Sequence, residues 1–538
     1  MIAHPSPLPV VPAPGATPAR WQLWPAGRLL AVTVVAAVLF SGLESTAGGT
    51  HPDERLYLSL ANEMQAHGTW MTPTLQGVPD FTKPPLLYWA SALCLRAFGP
   101  HLWAARLPVA LCAFFLCLVA GRLARRFGGE PAFVRGVLLV GTSLGLLRYG
   151  RLLMMDVPLA LALALGVEAA FVAAVERRPR LFLGVGLAAG LSAFLKGPVG
   201  PLLVFSIAAG VVALRAPALL RSVWVVACVG LAAVVSVPWV VAMALRHGPA
   251  FLERFILVEN FGKFGVRWTF ASEAWLLAVL LLLALPWVGL VQWRGLPRDV
   301  RVLSGVWLGV VLLVFSLPGL KQSHYVLPCL VPLLLLAAVP ATPQTYAART
   351  SAALLFVLAL LSLLALRVGF PLSARLGLLG MAVLLGLAAF ALLRLRPDGA
   401  AVGFAGAAIL ALSLVLPALN PPPVSEAAWA AAGERPVVVF RQEPGLYELL
   451  SDRKVRRVND AEETSVAVAQ GAAAVLPFQD FAVMPKEMQD GLEPLTHWPR
   501  LRPRLSPGDV VQALLAGSPV PLQEEALLVV RVPKRARP

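Results

Sequence analysis

Residues 157–175, VPLALALALGVEAAFVAAV, form an apolar run that decides how the chain folds. The run contains a single charged residue, Glu168, and it is bounded by Asp156 before it and by Glu176 and Arg177 after it. A helix that crosses a bilayer needs roughly 20 consecutive apolar residues. The run therefore predicts a membrane-spanning helix with polar residues at both ends.

Similar runs recur along most of the chain and predict about 13 spans in all. Their approximate limits are 28–44, 103–121, 131–149, 157–175, 181–195, 198–214, 222–244, 273–292, 302–318, 324–340, 350–367, 373–393 and 400–418. The chain is 58% hydrophobic and 14% charged, with a mean hydropathy of +0.75, whereas an average soluble protein is about 25% charged. The sequence thus predicts a polytopic α-helical membrane protein.

Arginine residues set the predicted orientation. When residues 1–27 are placed in the cytoplasm, every loop that should also be cytoplasmic is short and carries arginine. These residues are Arg122, Arg125, Arg126; Arg177, Arg178, Arg180; Arg215, Arg221; Arg294, Arg298, Arg301; Arg349; and Arg394, Arg396. Cytoplasmic loops carry such an excess of positive charge. The net charge of +16 is therefore interpreted as a topology signal that meets membrane lipids, and it argues against a nucleic-acid partner.

This orientation places the remaining loops and the tail on the outer side. They are residues 45–102, the loops near 150–156, 196–197, 245–272 and 319–323, and everything after the last span. Within the first of these loops, residues 85–98 are apolar but too short to span. They predict a helix that lies at the interface, with Tyr88 and Trp89 at the level of the headgroups.

The composition changes after Pro421-Pro422-Pro423. Residues 424–538 have ordinary polarity, and short apolar stretches alternate with helical patterns. The predicted strands are 436–440, 455–458, 472–478 and 527–532, and the predicted helix is 461–470. Such alternation predicts a small soluble α/β domain. The five cysteines include no CxxC pair and none lies in this region, which argues against a disulfide framework or a cysteine zinc site.

The first candidate site is His51-Pro52-Asp53-Glu54-Arg55-Leu56-Tyr57, just after the first span. An exposed Asp has a pKa of about 3.9, so Asp53 can act as a base toward an acceptor hydroxyl. The same carboxylate can also bind a metal, orient a sugar or cap a helix over residues 54–66. These alternatives stay open from the residues alone, and no ligand spacing requires or excludes a divalent metal.

Further charges lie at the predicted outer ends of other spans. Lys83 precedes a pair of prolines and suits a lipid-linked phosphate, although a snorkelling lysine has the same position. Asp156 opens a span beside Pro158, as a helix cap does. Lys196 lies in a short outer turn, where topology predicts fewer positive residues. Transfer of a group from a phosphate donor needs an acid that activates the acceptor and cations that stabilise the departing phosphate.

These motifs, taken in order, resemble bacterial ArnT-like and dolichyl-phosphate-mannose-protein mannosyltransferase-like glycosyltransferases, which are polytopic enzymes of the GT-C fold. The resemblance covers roughly residues 28–340. It is carried by Asp53-Glu54 with Tyr57, Lys83-Pro84-Pro85-Leu86-Leu87-Tyr88-Trp89, Arg106-Leu107-Pro108, Asp156 and Lys196-Gly197-Pro198.

The resemblance implies roles for individual residues. Asp53 and Asp156 are the expected catalytic acids. We assign the donor phosphate to a set of basic and aromatic residues, namely Lys83, Lys196, Lys263, Tyr325 and Arg55. We assign substrate orientation to Glu54, Tyr57 and His324. The resemblance also divides the chain into a cytoplasmic tail 1–27, a transmembrane catalytic domain 28–420 with the periplasmic loop 45–102, and a periplasmic domain 424–538.

The implied activity is inverting transfer of a sugar from a polyprenyl-phosphate donor, undecaprenyl phosphate in a bacterial inner membrane. The acceptor is lipid A, which would receive 4-amino-4-deoxy-L-arabinose, or another glycan or a protein. Members that modify lipid A often have Glu before the loop lysine, where this chain has Thr82, and Arg55 sits one position earlier than the arginine of that subgroup. The alternatives are a lipid-linked sugar transporter or flippase, and a structural or sensory protein whose tail binds cell-wall partners.

Overall fold

The computed structural model describes residues 24–46, 51–262, 270–319, 321–339, 345–419, 423–451, 453–501 and 506–531. Helices dominate as far as residue 419. Their bounds are α1 Trp24–Phe40, α2 Pro52–His67, α3 Leu86–Phe98, α4 Leu102–Gly141, α5 Leu144–Tyr149, α6 Asp156–Glu176, α7 Phe182–Lys196, α8 Val199–Arg215, α9 Val223–His247, α10 Pro249–Leu252, α11 Phe270–Leu283, α12 Arg298–Ser316, α13 Leu330–Ala338, α14 Thr345–Leu364, α15 Leu372–Leu393, α16 Pro397–Leu410 and α17 Leu416–Leu419. A short antiparallel hairpin, β1 Thr74–Leu75 and β2 Val78–Pro79, lies between α2 and α3.

Among the described residues, eight helical segments are long and apolar enough to cross a membrane. They are Leu102–Gly141, Asp156–Glu176, Pro179–Lys196, Val223–His247, Arg298–Ser316, Ala348–Arg367, Leu372–Leu393 and Pro397–Leu419. Shorter apolar helices are Ala26–Phe40, Leu86–Phe98, Val199–Arg215, Ala274–Leu283 and Ser323–Ala338. The chain is a multi-pass membrane protein, as predicted, while the number of spans stays a prediction.

Helix α4 contains two of the predicted spans, because it folds back on itself at Gly129. The backbone there has a φ of 66°, and Pro131 follows two residues later. The two halves pack so closely that a Cβ on Gly136 would lie 2.9 Å from the carbonyl oxygen of Ala120. Only a residue without a side chain fits such a contact, so Gly136 permits the close hairpin.

The ion pairs distinguish two ends of the helical bundle. At one end, the first turn of α2 carries Asp53 and α7 ends with Lys196; we call it the Asp53 end. At the other, Arg126 of α4 pairs with Glu176 of α6, while the ends of α8 and α12 are joined by a second pair, between Arg215 and Asp299; we call it the arginine end. Predicted outer and cytoplasmic residues thus separate onto opposite ends.

Helix α3 forms where the interfacial helix was predicted, but its aromatic residues point inward. Tyr88 is fully buried, and its ring lies 5.4 Å from that of Tyr57. The indole N–H of Trp89 donates to the carbonyl oxygen of Trp70 at 2.6 Å, and the ring packs against Phe194. The Tyr88 ring is thus covered by protein, because α2 packs against that face of α3. The level of Tyr88 and Trp89 relative to the headgroups stays a prediction.

The predicted C-terminal α/β domain is confirmed. Its elements are α18 Glu426–Ala432, β3 Val437–Phe440, α19 Gly445–Ser451, β4 Val455–Val458, α20 Ala461–Ala469, β5 Ala473–Pro477, α21 Phe478–Ala482, α22 Lys486–Gln489, β6 Leu492–Leu501, α23 Pro507–Ala516 and β7 Gln523–Arg531. The sheet order is β4-β3-β5-β7-β6, with β4, β3 and β5 parallel and the other pairs antiparallel. Strands β3 and β5 are buried on both faces, as expected for strands joined by helical crossovers.

The C-terminal domain docks onto α2. The backbone N–H of Gly445, at the start of α19, donates to the hydroxyl of Ser59 at 2.9 Å. A Cβ on Gly445 would lie 2.4 Å from the backbone nitrogen of Ser59. Further along, the amide of Asn62 donates to Glu448 at 3.1 Å, and burial raises the pKa of that carboxyl. Helix α2, which carries Asp53 in its first turn, is therefore held between the bundle and the C-terminal domain.

Candidate active site

The first turn of α2 presents Asp53. His51 is the N-cap, since its Nδ1 accepts a hydrogen bond of 3.2 Å from the backbone N–H of Asp53, and Pro52 occupies the first helical position. The interpretation of Asp53 as the helix cap is therefore wrong. The Asp53 side chain remains partly exposed, and potential ligand atoms of His51, Asp53 and His324 all lie within 4.8 Å of one another.

Glu54, the neighbouring acid, is fully buried and its carboxylate is fully engaged. It accepts two hydrogen bonds from Arg106, at 2.7 and 3.0 Å, and a third of 3.0 Å from the backbone N–H of Leu153. Arg106 also donates at 2.7 Å to the carbonyl oxygens of Leu43 and Ser45. The pair joins α2 to α4 and occupies both carboxylate oxygens of Glu54, while the predicted substrate contact of Glu54 stays a prediction.

Asp156 lies at the start of α6, where the sequence also allowed a helix cap. The N-cap is Met155 and makes no side-chain cap bond, so the cap interpretation is wrong here as well. One oxygen of the Asp156 carboxylate accepts a hydrogen bond from Lys196, and the other lies 3.9 Å from Nε2 of His324. Three predicted site residues from α6, α7 and the 3-10 segment Ser323–Cys329 thus meet at one point.

Tyr325 completes this group. The Nζ of Lys196 lies 5.1 Å from the centre of the Tyr325 ring, which stacks on Phe315 with 4.9 Å between ring centres. A cation over an aromatic face is stabilised by the ring quadrupole. Lys196 is therefore held by a carboxylate and an aromatic ring, and its predicted contact with a donor phosphate stays a prediction.

Lys83 lies near the long outer segment that follows α9. Its Nζ pairs with Glu259 at 3.2 Å, and Glu259 also pairs with Arg254 at 3.3 Å. Glu259 and Arg254 both belong to the π-helical segment Glu253–Phe261. Lys263, the other predicted phosphate ligand of this segment, lies outside the described residues.

Tyr57 and Arg55 lie on different sides of α2. Tyr57 is buried beside Tyr88, and burial raises its pKa well above the usual value, so the phenol stays protonated and can only donate or accept as a neutral group. Arg55 interacts electrostatically with Glu443 of the C-terminal domain, a carboxyl whose pKa is raised by burial although Arg457 opposes that shift. The predicted phosphate contact of Arg55 therefore competes with the C-terminal domain.

Three participants were not assigned a role from the sequence: His51, Arg106 and Glu259. Burial lowers the pKa of the His51 imidazole, so the ring is neutral at pH 7 and its nitrogens are available as ligands or hydrogen-bond partners. The sequence feature that could have identified His51 is its position two residues before Asp53. Arg106 was quoted as part of the motif, whereas nothing in the sequence connects Glu259 with Lys83.

A separate cavity of about 1400 Å³ lies at the other end of α2, against the C-terminal domain. Its walls carry both acids and cations, including Glu63, Glu448, Arg96, Lys454 and Arg456. Because α2 contributes residues to both places, the Asp53 site and this cavity lie at opposite ends of the same helix.

The comparisons with known proteins agree with the motifs. A model of the dolichyl-phosphate-mannose-protein mannosyltransferase family matches residues 82–241. The undecaprenyl phosphate-α-4-amino-4-deoxy-L-arabinose arabinosyl transferase 1 of Pseudomonas fluorescens (strain Pf0-1) is 31% identical over 56% of this chain and 56% of its own length. The corresponding transferase of Edwardsiella ictaluri is 30% identical over 53% and 54%. The matches thus span about half the length of these curated relatives.

The fold extends the similarity to nearly the whole chain. The crystal structure of ArnT from Cupriavidus metallidurans in the apo state aligns with a TM-score of 0.67 and 19% identity, over 95% of this chain and 98% of that one. The structure of the same protein bound to undecaprenyl phosphate aligns with a TM-score of 0.65 and 18% identity, over 97% and 100%. The chain therefore has the same overall fold as this ArnT structure, and its sequence is similar to the dolichyl-phosphate-mannose-protein mannosyltransferase family model and to the arabinosyl transferases over part of its length.

Proposed function

We propose that this chain is an inverting glycosyltransferase that moves a sugar from an undecaprenyl-phosphate donor to an acceptor at the Asp53 end of the bundle. The observation that supports it is the position of Asp53, a partly exposed carboxylate beside His324, which in turn approaches the buried Asp156–Lys196 pair. A carboxylate with the buried ammonium of Lys196 close by is suited to acceptor activation and to stabilising a phosphate leaving group.

The proposed reaction is a single displacement. Asp53 takes the proton of the acceptor hydroxyl as its oxygen attacks the anomeric carbon of the donor. The bond between that carbon and the phosphate oxygen breaks, and its electron pair leaves with the polyprenyl phosphate. Lys83 and Lys196 stabilise the negative charge on the departing phosphate, and inversion follows because attack and departure take place on opposite faces of the sugar.

Donor binding would exchange the partners of Lys83. The lysine is held by Glu259, and a phosphate oxygen offers the same charge as a carboxylate oxygen. When the phosphate takes the place of Glu259, the segment Glu253–Phe261 is released from Lys83. The structural relative described as bound to undecaprenyl phosphate supports this donor class.

4-Amino-4-deoxy-L-arabinose, named in several relatives, is the sugar that we propose to test first, with lipid A as acceptor. Protein and cell-envelope glycans are the alternative acceptors, because the chain has Thr82 where lipid A-modifying relatives often carry Glu. We further propose that the chain lies in the bacterial inner membrane with residues 1–27 in the cytoplasm and that residues 28–420 form the catalytic domain. The loop 45–102 and the domain 424–538 would then face the periplasm.

A transporter is favoured less by the distribution of charge. Transport sites lie near the middle of the membrane, often between repeats. In the described part of the chain, the buried ion pairs between helices gather at the Asp53 end, which fits a reaction at one surface better than passage across the bilayer.

The test is transfer of radiolabelled sugar from polyprenyl-phosphate donors into a membrane extract, followed by mass analysis of the labelled acceptor. Asp53→Asn should lower transfer by about 100- to 10,000-fold, the usual contribution of a catalytic base, without changing insertion. Asp299→Asn, which removes a carboxylate at the arginine end, is the matched control and should transfer normally. Normal transfer by Asp53→Asn contradicts the assignment, and transport of labelled lipid without sugar transfer would support the flippase alternative.

A further inference from the structure

We propose that His51, Asp53 and His324 form a binding site for a divalent transition-metal cation of the zinc or manganese class. Potential ligand atoms from the three side chains lie within 4.8 Å of one another. Ligands of a tetrahedral cation at bond lengths of about 2.1 Å are roughly 3.4 Å apart. Side-chain rotations that draw these atoms together by up to about 1.4 Å would therefore close the site around an ion.

His324 already has the arrangement of a metal-ligating histidine. Its side chain is buried, and its Nδ1 has no hydrogen-bond partner among the described residues. Its Nε2 lies 3.9 Å from the carboxylate of Asp156. Metal-bound histidines usually direct the other ring nitrogen toward a carboxylate, which fixes the tautomer and leaves the first nitrogen free to coordinate. A buried nitrogen without a partner costs free energy, and a cation would remove that cost.

His51 contributes a half-buried ring. Its Nδ1 accepts only the 3.2 Å cap bond from Asp53, which is long for an N–H···N contact. Coordination through Nε2 moves the ring proton to Nδ1 and so gives up this cap. The loss of one helix cap is small beside the affinity of imidazole nitrogens for zinc.

The ligand types select the class of cation. Two imidazole nitrogens and one carboxylate suit Zn²⁺, Mn²⁺, Co²⁺ or Fe²⁺, whereas Mg²⁺ and Ca²⁺ prefer sites made of oxygen alone. Three protein ligands leave a coordination position open for water or a substrate oxygen, as in catalytic metal sites. The Cys residues of this chain play no part, since none belongs to the group.

A role for the cation in sugar transfer rests on the proposed function, whereas its binding does not. One oxygen of Asp53 would bind the cation and the other would remain to receive the acceptor proton. A bound cation lowers the pKa of a coordinated hydroxyl, so it would assist the same proton transfer that is assigned to Asp53.

The test measures metal binding without any assay of sugar transfer. The full chain is purified in detergent through a tag that lacks histidine, stripped with a chelator and dialysed against micromolar Zn²⁺. Bound zinc is counted by elemental mass spectrometry, and the visible spectrum of the Co²⁺-loaded protein reports histidine ligation. His51→Asn preserves a side chain that can cap α2, His324→Asn removes the buried ligand, and His67→Gln on the exposed end of α2 is the matched control.

We expect one zinc ion per wild-type chain and per His67→Gln chain, and at least about 100-fold weaker binding in His51→Asn and His324→Asn. The absence of zinc from the wild-type protein overturns the proposal. So does unchanged affinity in both site variants, since the bound ion then lies elsewhere. A protein that binds zinc through this site and transfers no sugar supports the metal site and contradicts the proposed function.

Discussion

The two ends of the bundle differ in how deeply their ion-paired side chains are buried. At the Asp53 end, the pairs Arg106–Glu54 and Lys196–Asp156 are almost completely buried, with no side chain more than 12% exposed. At the arginine end, the Arg178–Glu176 pair has exposures of 72% and 34%. The charges at the arginine end therefore lie at the protein surface, as expected for cytoplasmic loops that carry an excess of positive charge. The charges at the Asp53 end are buried inside the protein.

This difference indicates where function lies. Exposed ion pairs contribute about 0–1 kcal/mol, whereas burial of two charges costs several kcal/mol per ion before their attraction offsets it. If the residues at those buried positions served stability alone, apolar residues would be expected there, because they are often at least as stabilising as a buried ion pair. Among the described residues, the almost completely buried pairs lie at the Asp53 end. We therefore expect them to hold a reactive site in place, and the following predictions test that difference.

The largest effect is expected from breaking the Glu54–Arg106 pair. Arg106→Met leaves Glu54 buried without its cation, and this should lower the free energy of unfolding by about 3–5 kcal/mol. The measurement is thermal unfolding in detergent. The double variant Arg106→Met with Glu54→Gln removes the unpaired charge and should regain part of the loss. Equal unfolding of the single and double variants would show that the pair is not coupled.

The Asp156–Lys196 pair should affect activity more than stability. Asp156→Asn leaves the buried ammonium of Lys196 without a carboxylate and removes the acid beside His324. Sugar transfer should fall on the order of 100-fold, as when one electrostatic group of an active site is removed. Addition of Lys196→Met should restore thermal stability without restoring transfer. Recovery of both properties in the double variant would reduce this pair to a structural role.

A smaller effect with the opposite sign is expected at Lys83. Glu259→Gln removes the carboxylate that holds Lys83, so the phosphate of the donor no longer competes with it. The KM for a polyprenyl-phosphate donor should decrease roughly two- to fivefold, the range of a partly exposed ion pair. Lys83→Gln serves as the matched variant and should raise the same KM. A higher KM in Glu259→Gln would mean that Glu259 orients Lys83 instead of competing for it.

The smallest effect belongs to the arginine end. Arg126→Gln breaks an ion pair with Glu176 whose partners are both partly exposed, and it should change the free energy of unfolding by less than about 0.5 kcal/mol. Sugar transfer should match the wild type. A loss comparable to that of Arg106→Met would remove the distinction between the two ends.

Much of the architecture could be predicted because apolar length and arginine position are local properties of the sequence. The direction of a residue within a helix could not be predicted. Asp53 and Glu54 are neighbours of the same type, yet successive helical residues point about 100° apart, so one remains at the surface of the site and the other meets Arg106. The burial of Tyr88 inside the protein could not be predicted for a related reason, since an apolar face fits lipid and protein neighbours equally well.

The same limit applies to contacts between distant segments. Lys83 and Lys196 were selected as cations, but their partners Glu259 and Asp156 come from other elements of the fold. Strand β6 was missed in the C-terminal domain because Pro494 and Pro499 interrupt it. Proline is tolerated in strands at the edge of a sheet, which is where β6 lies.

The contact between Gly445 and Ser59 has a consequence for protein engineering. The C-terminal domain is attached through a surface on which a single added methyl group would overlap the backbone of α2. An exchange of this domain with that of a relative would therefore require α2 to be exchanged with it, and α2 brings Asp53 along. The C-terminal domain differs in composition from the rest of the chain. The smallest unit that could be transplanted nevertheless contains both this domain and α2, the helix that carries the proposed base.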